Sequence, residues 1–159
     1  MMPAFPIDVH IQDPAWSEDL DDPDSVIRNA VSAIWPLLDD PKIGELSLAL
    51  VSNADIQTLN RDYRGKDKPT NVLSFPSIGP GAILGDIVLA RETIQREAKD
   101  ASKLFHNHLT HLIIHGFLHL QGYDHDTEDQ ADIMEGLEIK ALAALDIDNP
   151  YKINERAGT

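Results

Sequence analysis

The stretch His115-Gly116-Phe117-Leu118-His119-Leu120-Gln121-Gly122-Tyr123-Asp124-His125 carries three histidines, separated by four and then six positions. Residues four positions apart in an α-helix lie one turn apart on the same face, so His115 and His119 should point in one direction. Gly122 can adopt the left-handed conformation that ends a helix and turns the chain back. The sequence therefore predicts that His125 approaches the same point from outside the helix.

Three neutral imidazoles that converge on one point describe a metal site with one coordination position left open for water. The chain has no cysteine, which excludes disulfides and structural zinc bound by thiolates. Histidine ligands without cysteine are more typical of catalytic metal sites than of structural ones. We therefore expect His115, His119 and His125 to bind one Zn²⁺ ion, although other divalent transition metals would suit the same ligands.

The histidine spacing is that of the zinc protease pattern H-E-x-x-H-x-x-G-x-x-H, with one exception. Gly116 stands where the catalytic glutamate belongs. In the proteases that glutamate activates the water and carries its proton. Its absence favours hydrolysis of a substrate other than a peptide, and a metalloprotease-like hydrolase remains the first alternative.

Two residues beside the histidines are candidates for proton transfer or orientation. His111 precedes His115 by one turn on nearly the same face, so it either contacts the substrate or carries a proton as a catalytic group, or it is a polar residue at the cavity rim. Asp124 could orient an imidazole from outside the ligand shell, act as a ligand in an iron site, or bind the backbone of the turn. The residues alone leave these alternatives open.

The charge of the chain is unevenly distributed. It has 13 lysines and arginines against 27 aspartates and glutamates, a formal net charge of −14, which argues against a general nucleic-acid binder. Residues 61–68, in contrast, hold four bases and two acids. The guanidinium of Arg64 matches a pair of phosphate oxygens, and Lys66 and Lys68 add charge nearby. Beside a metal site, these three residues predict the binding of a phosphodiester substrate.

Hydrophobic periodicity predicts four strands and five helices in the order β-α-β-α-β-β-α-α-α. The strands are expected near residues 7–11, 46–50, 72–76 and 83–89, and the helices near residues 24–38, 53–63, 91–102, 105–121 and 127–145. A turn at Gly79-Pro80-Gly81 would join the last two strands as a hairpin. Ile56, Leu59 and Tyr63 are expected on the inner face of the second helix. The expected fold is a single α+β domain over residues 1–159 with one small mixed sheet.

The sequence contains no signal that would direct the chain to a membrane. Its first ten residues have neither a basic start nor an apolar signal core. No apolar run approaches the ~20 residues that a membrane span needs. We therefore expect a soluble, cytoplasmic protein.

Three segments of the chain resemble the signatures of the YbeY endoribonucleases. The run Leu59–Pro76 (LNRDYRGKDKPTNVLSFP) resembles the first signature, Leu84-Gly85-Asp86-Ile87 the second, and the histidine motif His115–His125 the third. The resemblance covers roughly residues 45–150 in order, whereas the first 40 residues match only loosely. It implies a single-strand-specific, metal-dependent endoribonuclease with a three-histidine zinc site.

The resemblance also implies a biological setting. Members of the family act in rRNA processing, notably in maturation of the 16S rRNA 3′ end, and in ribosome quality control. By position, the metal ligands would be His115, His119 and His125, and the functional arginine would be Arg64. The expected partners are single-stranded RNA, the small ribosomal subunit with its proteins, and an Era-type GTPase, with neither DNA nor a membrane.

Two questions stay open at this level. A second alternative function is a non-enzymatic ribosome-assembly module whose metal merely fixes the fold. For an enzyme, the general base is unassigned, because no glutamate stands at position 116. His111, Asp124 or the 2′-hydroxyl of the RNA itself are the candidates.

Overall fold

The structure is a computed structural model that describes residues 6–77 and 83–151. Within these residues it contains four strands and six α-helices, and a 3₁₀ turn, Trp35–Leu37, follows the second helix. The elements in chain order are β1 (Ile7–Ile11), α1 (Trp16–Asp19), α2 (Pro23–Ile34), β2 (Glu45–Val51), α3 (Asn53–Arg64), β3 (Val72–Pro76), β4 (Ile83–Ala90), α4 (Arg91–Asp100), α5 (Phe105–Leu120) and α6 (Glu128–Ala144). The predicted α+β class is confirmed.

The four strands form one mixed sheet in the order β1-β2-β4-β3. β1 and β4 each pair in parallel with β2, and β3 runs antiparallel to β4. The predicted pairing of the last two strands is confirmed, with Val72 opposite Leu89 and Pro76 opposite Gly85. The turn predicted at Gly79–Gly81 lies outside the described residues. Because β3 is an edge strand, Pro76 removes no hydrogen bond from the interior of the sheet.

The two faces of the sheet are covered to different extents. Helices α2 and α5 pack on one face, and α6 packs against these two helices. Helix α5 is buried along most of its length, with Ile113, Ile114 and Phe117 fully inaccessible to solvent. A smaller cluster around Ile56 of α3 covers part of the other face. None of the helices in the described ranges is long and apolar enough to cross a membrane. The largely buried helix α5 carries the first two histidines of the motif, His115 and His119.

Gly85 allows β4 to pass closely under β3. Its φ angle is +151°, and a Cβ atom built at this position would lie 2.5 Å from the carbonyl oxygen of Phe75. The pairing of β2 with β4 also shifts register beside it, between Glu45 and Leu46. A residue with a side chain cannot occupy this position without moving the edge strand, which forms one wall of the site described below.

The helices differ from the prediction in number and in one boundary. The sixth helix is the four-residue α1, which forms because the Asp13 side chain accepts a hydrogen bond from the Ala15 amide and because Trp16 is buried. The helix predicted near residues 24–38 was expected to continue to Leu38, but it corresponds to α2, which ends at Ile34. Pro36 lacks the amide hydrogen that another α-helical turn would need, so the chain continues as a 3₁₀ turn.

The prediction that Tyr63 lies on the inner face of α3 is wrong. Ile56 is fully buried, but Tyr63 is 70% exposed. It lies in the last turn of the helix, just before Gly65 ends the helix in the left-handed region with φ +70°. The Tyr63 ring contacts Phe75 of the edge strand at a centroid distance of 5.4 Å. The apolar stripe of α3 thus extends past the part of the sheet that the helix covers.

Candidate metal centre and adjoining cavities

Three histidines converge at the C-terminal end of α5. The Nε2 atoms of His115 and His119 lie 3.1 Å apart. Gly122, with φ +95°, turns the chain back after the helix, and the ring of His125 comes within 5.4 Å and 5.0 Å of the other two ring centroids. One ligand atom from each histidine lies within 4.8 Å of the others. The predicted convergence of the three side chains is confirmed.

A buried glutamate on α6 fixes the orientation of His115. Glu138 is fully buried, and its Oε2 accepts a hydrogen bond of 2.8 Å from Nδ1 of His115. Its Oε1 accepts a second one of 2.6 Å from Nε2 of His111 and a third from the hydroxyl of Tyr151. Burial raises the pKa of Glu138, but hydrogen bonds from His111 and His115 outweigh it and lower the pKa to about 2. The carboxylate is therefore ionised and accepts all three bonds.

The prediction of site residues did not include Glu138. A signal for it exists in the sequence, because Glu138 falls at helical spacing in line with the buried residues Met134, Ala141 and Leu142 of α6. An acidic residue in an apolar stripe requires a partner when buried. The identity of that partner depends on how α6 packs against α5, which the spacing alone does not define.

The ring of His119 is held by the chain itself. Its Nδ1 donates a hydrogen bond of 3.1 Å to the carbonyl oxygen of Tyr123, just after the helix ends. Burial lowers the pKa of His119, and the positive charges that His115 and His125 would carry lower it further. His119 is thus neutral, with its proton on Nδ1 and its lone pair on Nε2.

The protonation pattern of the two helical histidines fits a divalent cation. A carbonyl and an ionised carboxylate can only accept, so Nδ1 carries the proton in both His115 and His119. The two Nε2 atoms lie 3.1 Å apart, and a cation bound between them would require a lone pair on each. Two nitrogens bound to one tetrahedral zinc ion would lie about 3.3 Å apart. The donor set and its spacing are therefore compatible with metal binding.

Asp124 contacts the turn rather than the ring of a ligand. Its Oδ1 accepts a hydrogen bond of 2.8 Å from the backbone amide of His125, while Nδ1 of the same histidine is 3.8 Å away. The hydrogen bond from this amide lowers the pKa of Asp124. Of the three alternatives for this residue, the contact with the backbone of the turn is the one present in the structure. An orienting role stays a prediction.

His111 points away from the converging nitrogens. Its side chain is 12% exposed and its Nε2 is bound to Glu138. It lines a separate cavity of about 180 Å³ near Pro150, not the cavity that the three histidines line. The structure therefore does not place His111 beside the open position of the centre, and a catalytic role for it stays a prediction.

The three histidines open into a cavity of about 550 Å³, which we call the histidine cavity. Residues of the edge strand β3, including Ser74, form the opposite wall. Arg64, at the end of α3, also lines it, so the structure brings the predicted arginine and the predicted metal ligands together. The exposed Arg64 side chain forms no ion pair with any acid in the described part of the chain.

Lys66 and Lys68 line a different, adjoining cavity. It has a volume of about 290 Å³ and also contains Arg96 of α4. We call it the basic cavity. It shares the lining residues Arg64, Thr70 and Asn71 with the histidine cavity, so the two cavities adjoin. Lys66 and Lys68 were predicted from the sequence, but Arg96 was not. It lies about 30 positions further along the chain and is brought to the loop only by the packing of α3 and α4 on the sheet.

Gly116 faces the sheet. A Cβ atom at this position would lie 3.0 Å from Oγ of Ser74 and 3.1 Å from Ile87. The position that holds the catalytic glutamate in the zinc proteases is thus occupied by close packing between α5 and the sheet. A glutamate would have to displace one of these neighbours.

The fold and the site together define a small α+β protein with a three-histidine centre that could hold a metal ion. Residues 11–146 match the family described as "Endoribonuclease YbeY". This match spans most of the 159 residues, and the chain belongs to that family.

Similar proteins support the assignment. The chain is 53% identical over 117 residues to "Endoribonuclease YbeY" of Allorhizobium ampelinum, a match that covers 70% of each chain. It is 46% identical over 143 residues to the protein of the same name from Rhodopseudomonas palustris, covering 84% of this chain and 83% of the relative. The solution structure of a Thermotoga maritima protein covers 92% of this chain with a TM-score of 0.56 at 23% identity, which supports the fold alone.

Proposed function

We propose that this chain is a metal-dependent endoribonuclease that cleaves single-stranded RNA at the histidine cavity. The observation that carries the proposal is that three convergent histidines and Arg64 line one open cavity in a chain that belongs to the endoribonuclease family. A metal site and a guanidinium that line one cavity suit a phosphodiester, which has an electrophilic phosphorus and anionic oxygens.

The proposed cofactor is one Zn²⁺ ion per chain, held by Nε2 of His115 and Nε2 of His119 together with His125. When bound, such an ion supplies Lewis acidity, which activates water and withdraws charge from phosphate oxygens. The protein contributes the orientation of the ligands. Glu138 holds the ring of His115, and the Tyr123 carbonyl holds the ring of His119. The Nε2 atoms of the two rings thereby face each other.

Arg64 is proposed to bind the scissile phosphate. Its planar guanidinium can donate two parallel hydrogen bonds to phosphate oxygens, and its charge stabilises the extra negative charge that develops as a nucleophile adds. Lys66 and Lys68 are proposed to bind the substrate from the adjoining basic cavity. Asp124 is proposed to orient the turn that presents His125, because its carboxylate binds the backbone amide of that residue.

The proton acceptor has three candidates. His111 is bound to Glu138, so accepting a proton from substrate would require it to leave that contact. Asp124 lines the histidine cavity and is exposed, so it can reach a reacting group without such a change. The 2′-hydroxyl of RNA is the third. Its attack leaves a 2′,3′-cyclic phosphate, whereas hydrolysis by water does not, and end-group analysis of the products separates the two routes.

The proposed biological role follows the family. It is rRNA processing, with maturation of the 16S rRNA 3′ end and ribosome quality control, and with the small ribosomal subunit, its proteins and an Era-type GTPase as partners. These partners would place the protein in the cytoplasm. Given its net charge of −14, the chain should bind free RNA weakly, and a ribonucleoprotein partner would deliver the substrate. DNA is not an expected substrate.

The decisive experiment compares the purified protein on single-stranded RNA and on casein, each with and without a chelator. We expect RNA cleavage that the chelator abolishes and zinc restores, and no cleavage of casein. His115→Ala should stay folded by circular dichroism and lose RNA cleavage. Chelator-sensitive cleavage of casein with intact RNA would support the protease alternative. Unfolding of His115→Ala on loss of metal, with no RNA cleavage by the wild type, would support a structural metal.

A further inference from the structure

We infer that the basic cavity is a second phosphate subsite, which holds the phosphodiester group next to the scissile one on the same RNA strand. The inference rests on the proposed function, because it takes the strand to be positioned at the histidine cavity. It adds a binding residue, Arg96, that no sequence motif indicates, and it gives the substrate a path across the surface.

The charge of the basic cavity is unlike that of the rest of the chain. Four cations line it, Arg64, Lys66, Lys68 and Arg96, together with a single acid, Glu97. No ion pair joins any of the four to an acid within residues 6–77 and 83–151. In a protein of net charge −14, four unpaired cations around about 290 Å³ create a local positive potential suited to a phosphate.

Neither Asp67 nor Glu97 forms an ion pair with the four cations. Asp67 lies between the two lysines in sequence, but its Oδ1 accepts a hydrogen bond of 3.0 Å from Gln57 on α3, and the residue does not line the cavity. Oε1 of Glu97 accepts hydrogen bonds of 2.9 Å from both Asn71 and His108. Hydrogen bonds from His108 and Asn71 lower the pKa of Glu97, and the charge of Arg96 contributes to that lowering. The one carboxylate at the cavity therefore offsets only part of the charge of four cations, and the remainder is available to a ligand from outside the chain.

The loop that carries the lysines is held in place from within. The side chain of Asn60 is nearly inaccessible to solvent, and its Nδ2 donates a hydrogen bond of 2.9 Å to the backbone carbonyl of Lys68. The backbone amide of Lys66 donates one of 3.2 Å to the backbone carbonyl of Asn60. Oδ1 of Asn60 is buried without a donor among the described residues, and Asn60 lines the basic cavity. An ordered water or a ribose hydroxyl would supply that donor.

The shared boundary with the histidine cavity favours an RNA strand over a free anion. Arg64, Thr70 and Asn71 line both cavities, so Arg64 lies where the two adjoin. A strand whose scissile phosphate lies between the histidines and Arg64 leads directly to Lys66, Lys68 and Arg96. An isolated phosphate ion or a mononucleotide could fill the basic cavity, but it would make no contacts in the adjoining histidine cavity.

The test compares Arg96→Gln with Lys99→Gln. Both residues are exposed cations on α4, but Lys99 does not line the basic cavity. On a single-stranded RNA of roughly 12 nucleotides, we expect Arg96→Gln to raise KM by about five- to tenfold at low salt with little change in kcat. The dependence of log kcat/KM on log salt should become shallower by about 0.7, the loss of one phosphate contact on a single strand. Lys99→Gln should match the wild type.

A second substrate separates a strand subsite from a general anion site. A dinucleotide has only the scissile phosphate, so Arg96→Gln and the wild type should cleave it with the same KM. Equal KM values for Arg96→Gln and Lys99→Gln on the long RNA would overturn the inference, as would an equal loss on the dinucleotide. Competition by inorganic phosphate that is strong enough to remove the difference between the variants would assign the cavity to free anions instead.

Failure of the proposed RNA cleavage can be distinguished from failure of the proposed phosphate subsite. If the wild type cleaves no RNA, fluorescence anisotropy with the labelled RNA still compares the binding of the two variants, and weaker binding by Arg96→Gln alone keeps the subsite. Lys66→Gln, in the loop after α3, provides a second variant in the basic cavity. Thermal unfolding of all three proteins shows whether any loss arises from the fold.

Discussion

Nδ1 of His115 on α5 donates a hydrogen bond of 2.8 Å to Oε2 of Glu138 on α6. The bond joins the first histidine of the motif to a carboxylate that solvent does not reach. It fixes the ring orientation, directs Nε2 towards Nε2 of His119, and would make the ring a stronger donor to a bound cation. The packing of α6 on α5 is thereby coupled directly to the geometry of the candidate metal centre.

Replacement of Glu138 by glutamine should weaken zinc binding by about 10- to 100-fold. The amide is similar in shape, but it cannot accept hydrogen bonds from His111, His115 and Tyr151 with both of its heavy atoms, so the His115 ring loses its fixed partner. Zinc affinity is measured by competition with a chromophoric chelator. Asp132→Asn, an exposed acid on the same helix, is the matched control. Equal affinities for the two variants would show that Glu138 does not position the ligand.

The same carboxylate should make stability depend on pH below the neutral range. The pKa of Glu138 falls from 4.5 to about 2 in the fold. A lowered pKa means that the folded state binds its proton less readily than the unfolded state, so the stabilisation is present above about pH 4.5 and is lost as the pH falls towards about 2.

Urea unfolding of the metal-free protein between pH 7 and pH 3 provides the measurement. We expect the difference in the free energy of unfolding between wild type and Glu138→Gln to be largest near neutral pH and to shrink below about pH 4.5. A chelator is present throughout, so that release of metal at low pH does not enter the comparison. A difference that stays constant over this range would mean that the buried carboxylate contributes nothing through its charge.

Replacement of Arg64 by glutamine should lower kcat/KM on single-stranded RNA by about 100- to 1000-fold, the size of effect seen when one donor to a developing anion is removed. The fold should be unaffected, because the side chain is exposed and has no partner among the described acids. Arg61→Gln is the control, since Arg61 lies on the same helix and is paired with Asp62 away from both cavities. Similar losses in both variants would indicate a general charge effect rather than a contact at the reacting phosphate.

The parts of the site that the sequence predicts are those set by local geometry. His115 and His119 share a helix face because of their spacing, and the backbone freedom of Gly122 brings His125 back to them. These relations need no knowledge of the fold. The strands and their hairpin pairing follow in the same way from alternating apolar residues and a turn.

The parts that escaped prediction depend on how separate elements pack. Glu138 reaches His115 only because α6 lies along α5, and Arg96 joins the lysine loop only because α3 and α4 meet on the sheet. The same limit explains the wrong prediction for Tyr63, because the spacing of apolar residues along α3 does not show how far the helix overlies the sheet. His111 shares the helix face of the ligands, yet its ring turns to Glu138 instead of the histidine cavity.

Replacing Gly116 by the glutamate of the zinc proteases tests whether the missing glutamate is the only feature that prevents peptide hydrolysis. Because a Cβ atom there would meet Ser74 and Ile87 at 3.0 and 3.1 Å, Gly116→Glu should destabilise the fold by about 1–3 kcal/mol through overpacking and should not cleave casein. Chemical denaturation and the casein assay measure the two effects. The control is Gly136→Ala on α6, where a Cβ atom meets nothing within 4 Å, and which should stabilise the protein by about 0.5–1 kcal/mol. A stable Gly116→Glu protein that cleaves casein in a chelator-sensitive way would show that this position faces the metal and that only the missing glutamate separates the chain from a protease.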